Sequence, residues 1–157
     1  MRNALWSIIA LGALACGLPR DSEGTLDHVR GHVLRAGVTA HPPWDSVSAG
    51  QVSGVEPRLV DELARGLGAR AVFRVGTEAE LVEALEHREL DLVAAGLHDD
   101  SPWKGRVALT RPYYTDTTRG IRYVLATSPG ENAWLVHVER FLAARQQLGD
   151  TAGVHAR

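Results

Sequence analysis

Cysteine is almost absent: the 157 residues hold one, at position 16, so no disulfide can form within the chain. Basic blocks are absent as well. Seventeen Lys+Arg residues lie scattered among nineteen Asp+Glu, and the formal net charge is -2. No cationic stripe suited to nucleic acid results. Long apolar runs are also missing. The longest, residues 4–15, would reach about 18 Å as a helix, short of the roughly 30 Å hydrocarbon core of a bilayer. The sequence has no HExxH, no cysteine pair, no EF-hand loop and no GxSxG, so the signatures of zinc hydrolases, calcium loops and serine hydrolases are lacking. Neither an enzyme nor a bound cofactor is expected.

Arg2, the apolar stretch and the small residues before Cys16 together describe a secretory signal. The tetrapeptide ALAC, residues 13–16, resembles a bacterial lipobox, in which the cysteine is lipidated and becomes the new N-terminus. Ala13 stands where leucine is usual. Residues 1–15 are read as a signal peptide of the lipoprotein type, and Cys16 as the lipid-attachment residue. Residues 16–32 read as a polar tether that turns into a short helix at Thr25, and residues 150–157 as a disordered tail.

Between these ends the pattern alternates. "HVLRAGVT" (32–39) is a short apolar run stopped by Pro42 and Pro43. "PRLVDELARGLG" puts Leu59, Val60, Leu63, Ala64 and Leu67 on one helical face, with Pro57 in the first turn and Gly68 at the stop. "RAVFRV" (70–75) has strand composition. Thr77 and Glu80 have the spacing of a capping box before Leu81, Val82 and Leu85. "LDLVAAG" (90–96) is apolar enough for a strand covered on both faces. This β-α-β-α-β order predicts a parallel sheet with right-handed crossovers. "VALTRPYYTDTT" reads as irregular and "RGIRYVLATS" as a further strand. Trp134, Leu135, Val138, Phe141 and Leu142 mark a C-terminal helix, with Gly149 after its end.

In this order, "LRAGVTAHPPW", "GVEPRLVDELARGLGA", "EAELVEALEHRELDLVAAGL", "VALTRPYY" and "GENAWLVHVERFLAARQQ" resemble the bacterial extracellular solute-binding proteins of family 3, the amino-acid receptors of ABC transporters. The resemblance implies an α/β fold of the periplasmic-binding-protein type (type II), a mainly parallel sheet flanked by helices with a C-terminal helix, over residues 33–149. It also implies a secreted protein that binds a small solute in the periplasm or at the cell surface. The chain departs from the family in length. Family members fold as two lobes around a ligand, yet here "TRPYY" passes almost at once into "RGIRYVLATSPGEN", which resembles the returning segment. A single lobe is expected.

The second departure lies in "GLHDDSPWKGR", where amino-acid binders carry Ser/Thr and then T-P-E-R, whose arginine holds the ligand carboxylate. An ungapped match puts Asp100 at the threonine and Trp103 at the arginine, so that bidentate donor is absent. The loops at the carboxyl ends of the strands bring His41, Trp44, Asp99, Asp100 and Trp103 to one crevice. Two indoles with two carboxylates suit a cationic or amphipathic ligand. The competing expectation is that Trp44 and Trp103 pack against the lobe. A metal held by His98, Asp99, Asp100 and His41 is disfavoured, because adjacent loop side chains diverge; a polar loop with a capping Asp is the plainer reading. Tyr113 and Tyr114 are expected to pack beneath the crossover.

Two functions follow. One is a lipid-anchored solute-binding lobe at the outer face of the cytoplasmic membrane, serving an ABC importer or a sensor, with a permease or a second copy covering its open crevice. The other is a scaffold lobe, or a degenerate paralogue, with no soluble ligand.

Overall fold

The computed structural model describes residues 21–40, 45–48 and 51–147. Cys16, the signal segment, His41, Trp44, Gly149 and the tail lie outside the described residues. The elements are α1 (Thr25–Val29), β1 (Val33–Val38), β2 (Asp45–Ser48), β3 (Gln51–Gly54), α2 (Val55–Gly66), β4 (Arg70–Val75), α3 (Glu78–Glu86), β5 (Leu92–Ala94), a 3-10 turn (Pro102–Gly105), β6 (Ala108–Leu109), β7 (Tyr114–Asp116), β8 (Ile121–Tyr123), β9 (Ala126–Thr127) and α4 (Asn132–Gln147). Five strands form one sheet in the order β4-β1-β5-β9-β6, and β2–β3 and β7–β8 are separate hairpins. β1 is parallel to β4 and to β5, while β9 is antiparallel to its neighbours β5 and β6. The sheet is therefore mainly parallel, with its one reversed strand supplied by the returning chain.

Residues 119–128 differ from expectation. They do not make one strand: β8 pairs with β7 and β9 joins the main sheet, with Val124 and Leu125 buried between them. The stretch read as irregular supplies β6 and β7. These strands are two or three residues long, and their backbone groups are satisfied by neighbours distant in sequence rather than by a periodic pattern.

The apolar run at β5 is buried on both faces, as its composition requires. Leu92 and Ala94 point into a core with Leu34, Ala36, Val38, Val60, Leu63, Trp134 and Val138. Val93 and Ala95 point into the other core, with Leu81, Val82, Leu85 and Leu97. α2 and α4 thus cover one face and α3 the other. α3 lies close because β1 has glycine at position 37: a Cβ there would stand 2.8 Å from Leu81 Cδ2 and Leu90 Cδ1. The capping box forms, with the Thr77 N–H donating to Glu80 Oε2 at 2.8 Å and the Glu80 N–H to Thr77 Oγ1 at 3.4 Å. Trp134 is fully buried and spends its indole N–H on the Asp91 carbonyl at 2.8 Å.

Within the stretch assigned to the tether, residues 21–29 are bonded to the lobe. α1 begins at Thr25, and Asp21 bridges to Glu131 just before α4. Asp21 Oδ1 accepts from the Trp134 N–H at 2.7 Å and Oδ2 from the Leu26 N–H at 2.8 Å, so one carboxylate caps two helices. The Glu131 carboxylate accepts from Ser22 Oγ (2.7 Å) and from the N–H groups of Glu23 and Thr25 (3.0 Å each). Arg88 Nη1 stands 3.2 Å from it. Arg88 is the one non-glycine residue with positive φ (61°) among the described residues. This conformation, which costs about 1–2 kcal/mol, ends α3 and lets the guanidinium also donate to the Pro129 carbonyl at 3.1 Å.

Burial pushes the Glu131 carboxyl up, but the hydrogen bonds from Ser22, Thr25 and Glu23 outweigh it and bring the pKa from 4.5 to about 2. A depressed carboxyl stabilises the fold above its unfolded value and loses that contribution as pH falls from 4.5 through 2. Lowering the pH from 5 to 2 is expected to remove roughly 3 kcal/mol through this group, read as a falling urea midpoint. Glu131→Gln is expected to be less stable at pH 7 and to show a flatter acid slope; an unchanged slope would assign the acid loss to other carboxyls.

Candidate ligand crevice

Because β1, β4 and β5 are parallel, their carboxyl ends share one edge of the sheet, the edge at which open α/β sheets gather their ligand loops. β6 runs the same way, since both it and β5 are antiparallel to β9, so residues 110–113 reach the same edge. Glu56 fixes the floor. It lies in the first turn of α2, where the helix dipole favours a carboxylate, and it is fully buried. Its Oε2 accepts from the Gly96 N–H at 2.8 Å and its Oε1 from the Tyr113 hydroxyl at 2.7 Å. Gly96 has φ 65°, which turns the chain out of β5 at a cost that other residues bear less easily. Tyr113 is buried, as expected, and Tyr114 is half-buried, with its ring 5.9 Å from that of Tyr123.

Beyond the Gly96 turn, residues 97–99 run antiparallel beside residues 122–124, with an isolated bridge between His98 and Tyr123. The Val124 N–H donates to the Leu97 carbonyl at 2.9 Å and the Asp99 N–H to the Arg122 carbonyl at 3.0 Å. Successive side chains of such a segment point to opposite faces. His98 packs edge-on against Tyr123, with centroids 4.9 Å apart, whereas Asp99 forms an ion pair with Arg122. Asp100 follows and is exposed. The loop is capped by Ser101 rather than by an aspartate: Ser101 Oγ accepts from the Trp103 N–H at 3.4 Å at the start of the 3-10 turn.

Trp103 is partly buried against the α3 side of the sheet. Its indole N–H donates to Glu78 at 3.1 Å, and the Arg106 guanidinium lies 5.3 Å from the ring centroid while pairing with Glu86. The structure thus places Asp99 and Asp100 together in the loop after β5 and ties Trp103 to α3. Arg106 is likewise held by α3. Among the described residues no group of three or more His, Cys, Asp or Glu converges to hold a metal ion.

The model of the bacterial extracellular solute-binding proteins, family 3, matches residues 34–156. The chain belongs to this family. No curated protein matches it. Among solved structures, the arginine-bound form of domain 1 from TmArgBP is 26% identical, with a TM-score of 0.68 over 74% of this chain and 95% of that one. A mutant of the same arginine-bound domain reaches 0.71 at 25% identity, over 78% and 98%. An ancestral cationic amino-acid solute-binding protein, AncCDT-1, shares the fold at 17% identity, with a TM-score of 0.71 over 80% of this chain and 95% of that one.

For this family member the residue that sequence reasoning missed is Glu56. An acidic residue in the first turn of a helix reads as a solvated cap, and only the tertiary arrangement brings Gly96 and Tyr113 to it. Glu56→Gln is expected to cost about 1–3 kcal/mol, because it turns a donor toward one of two buried donors. Tyr113→Phe is expected to cost about 1 kcal/mol. Denaturant unfolding of both variants and their combination should give a double-mutant cycle with a coupling of at least about 0.5 kcal/mol. Additive losses would mean that the two side chains act independently.

Proposed function

We propose that this protein is a single-lobe solute receptor at the outer face of the cytoplasmic membrane, anchored by lipid at Cys16, and that it takes a cationic or amphipathic small molecule in its crevice. One observation carries the reading. Asp99 and Asp100 stand together after β5, while Trp103 occupies the position where the resemblance would put a carboxylate-holding arginine. The charge preference of this loop is thereby reversed: it repels an anionic group and attracts a cation. His41 and Trp44, from the loop after β1, complete the proposed lining. The arginine-bound single domain among the structural neighbours supports two parts of the proposal, a lobe that works alone and a cationic solute. Asp99 is shared with Arg122 and the Trp103 indole N–H with Glu78, so Asp100 is the carboxylate most open to a ligand.

A lone lobe covers one side of a solute, so affinity is weak unless a second copy or another protein closes over it. Residues 21–157 in a thermal-shift screen against arginine, lysine, polyamines, glutamate and sugars are expected to respond to the cations alone. Asp100→Asn is expected to weaken arginine binding about tenfold by calorimetry, the loss of one charge-assisted contact. Equal shifts with glutamate would refute the cationic preference. No shift with any solute, together with a protein partner recovered on the crevice, would favour the scaffold reading instead.

A further inference from the structure

We propose that β4 is a self-pairing edge, through which two copies of this chain join antiparallel about a two-fold axis and make one continuous sheet. β4 is an outermost strand of the main sheet, six residues long, and it pairs with β1 on one side only. At its ends the Arg70 N–H donates to the His32 carbonyl at 3.2 Å and the Gly76 N–H to the Val38 carbonyl at 3.1 Å. Backbone groups alternate along a strand, so residues 70, 72, 74 and 76 are turned toward β1. Ala71, Phe73 and Val75 therefore turn their N–H and carbonyl groups outward, away from the sheet. The two large apolar side chains exposed among the described residues, Val72 and Val75, both belong to this strand. Such an edge is a template for another strand.

The pattern of β4 selects a second copy as that strand. A two-fold axis normal to the sheet makes outward residues meet outward residues on the same face. With the axis on Val72, Arg70 stands opposite Arg74 of the second copy. With the axis on Arg74, the two Arg74 residues stand opposite each other. Like charges directly opposite destabilise a strand pair. An axis on Phe73 avoids both clashes and engages all the outward residues: Phe73 meets its own copy and Ala71 meets Val75, an apolar row in which each pair exchanges two hydrogen bonds. On the other face Val72 meets the aliphatic stem of Arg74, whose guanidinium is held by Glu89 at 2.6 Å. Arg70 comes opposite Gly76, beside the start of α3 with Glu78 and Glu80 in its first turn. The register with the most bonds is thus also the one with complementary charge. The other outer strand of the main sheet, β6, has two residues and offers β4 no comparable length. Because the joined strands are antiparallel, the carboxyl-end loops of the two copies point in opposite directions. This dimer is therefore separate from a copy that closes over a solute.

In sedimentation velocity the full chain, in a mild detergent, is expected to dimerise reversibly with a Kd on the order of 100 µM, the weak range of a small interface. A monomer up to about 1 mM would overturn the proposal. Val75→Lys, which sets a charge in the apolar row, is expected to weaken the dimer about tenfold while the monomer melts as before. Val75→Pro removes an outward N–H, spares the bonds to β1 and should weaken it at least as much. Unaltered dimerisation of Val75→Lys would place the contact elsewhere and overturn the proposal. The register is read by oxidising an equimolar mixture of Val72→Cys and Arg74→Cys chains. With the axis on Phe73, positions 72 and 74 of opposite copies have Cα atoms about 4.5 Å apart, within disulfide reach, whereas the two positions 72 are about 8 Å apart and beyond it. Peptide masses tell these links from any through Cys16. The mixed 72–74 disulfide is expected in about fivefold excess over either symmetric one. A predominant 72–72 link, or no link between β4 strands, would overturn the pairing.

Discussion

The Glu56 carboxylate joins three segments that are far apart in the chain: the first turn of α2, the exit from β5 and the approach to β7. Each of its oxygens answers a donor that would otherwise be buried and unsatisfied, at a cost of about 1–3 kcal/mol apiece. The turn at Gly96 is stabilised because its N–H ends on this carboxylate, and the turn sets where His98, Asp99 and Asp100 leave the sheet. The position of the crevice loop thus depends on a side chain that lies beneath it. A buried carboxylate is a costly way to hold a loop by comparison with apolar packing, but it is directional, and direction is what a loop needs.

The opposite edge is built on the same principle. Two helix N-termini, those of α1 and α4, meet over the carboxylates of Asp21 and Glu131, and backbone N–H groups from both helices are satisfied by side chains of the other's flanking segment. The chain is cross-tied in this way at the point where it enters the lobe. The two cores, one on each face of the sheet, then need only fill the space between two polar clamps. The lobe is tied in this way at both edges of its sheet.

The parallel strands β1, β4 and β5 and the three long helices were legible because their signals are local. Thr77 and Glu80 sit at capping spacing, Val60, Leu63 and Ala64 recur on one helical face, and residues 92–94 are apolar without interruption. The hairpin β2–β3 carried no such signal: "DSVS" and "QVSG" are polar and short, and their pairing shows only in the register Val47↔Val52. The division of residues 119–128 between two sheets was illegible for a related reason, because Tyr123 and Ala126 are buried against different partners three residues apart. Of the site, the loop and its charges could be read directly. The attachment of Trp103 to Glu78 could not, since the two residues lie 25 positions apart and neither has a motif that names the other.

The hairpin of β7 and β8 closes the chain where the resemblance would have it depart for a second lobe. Its turn, residues 117–120, is exposed and ends on Gly120 with φ 70°, while Tyr114 and Tyr123 at its base pair across the strands. Such a turn carries little of the fold's energy, and its two ends already stand side by side. A whole second lobe can therefore be gained or lost at one exposed joint without reordering a strand of the first. In modular terms the lobe carries a socket, and the two forms of the receptor differ by what is plugged into it.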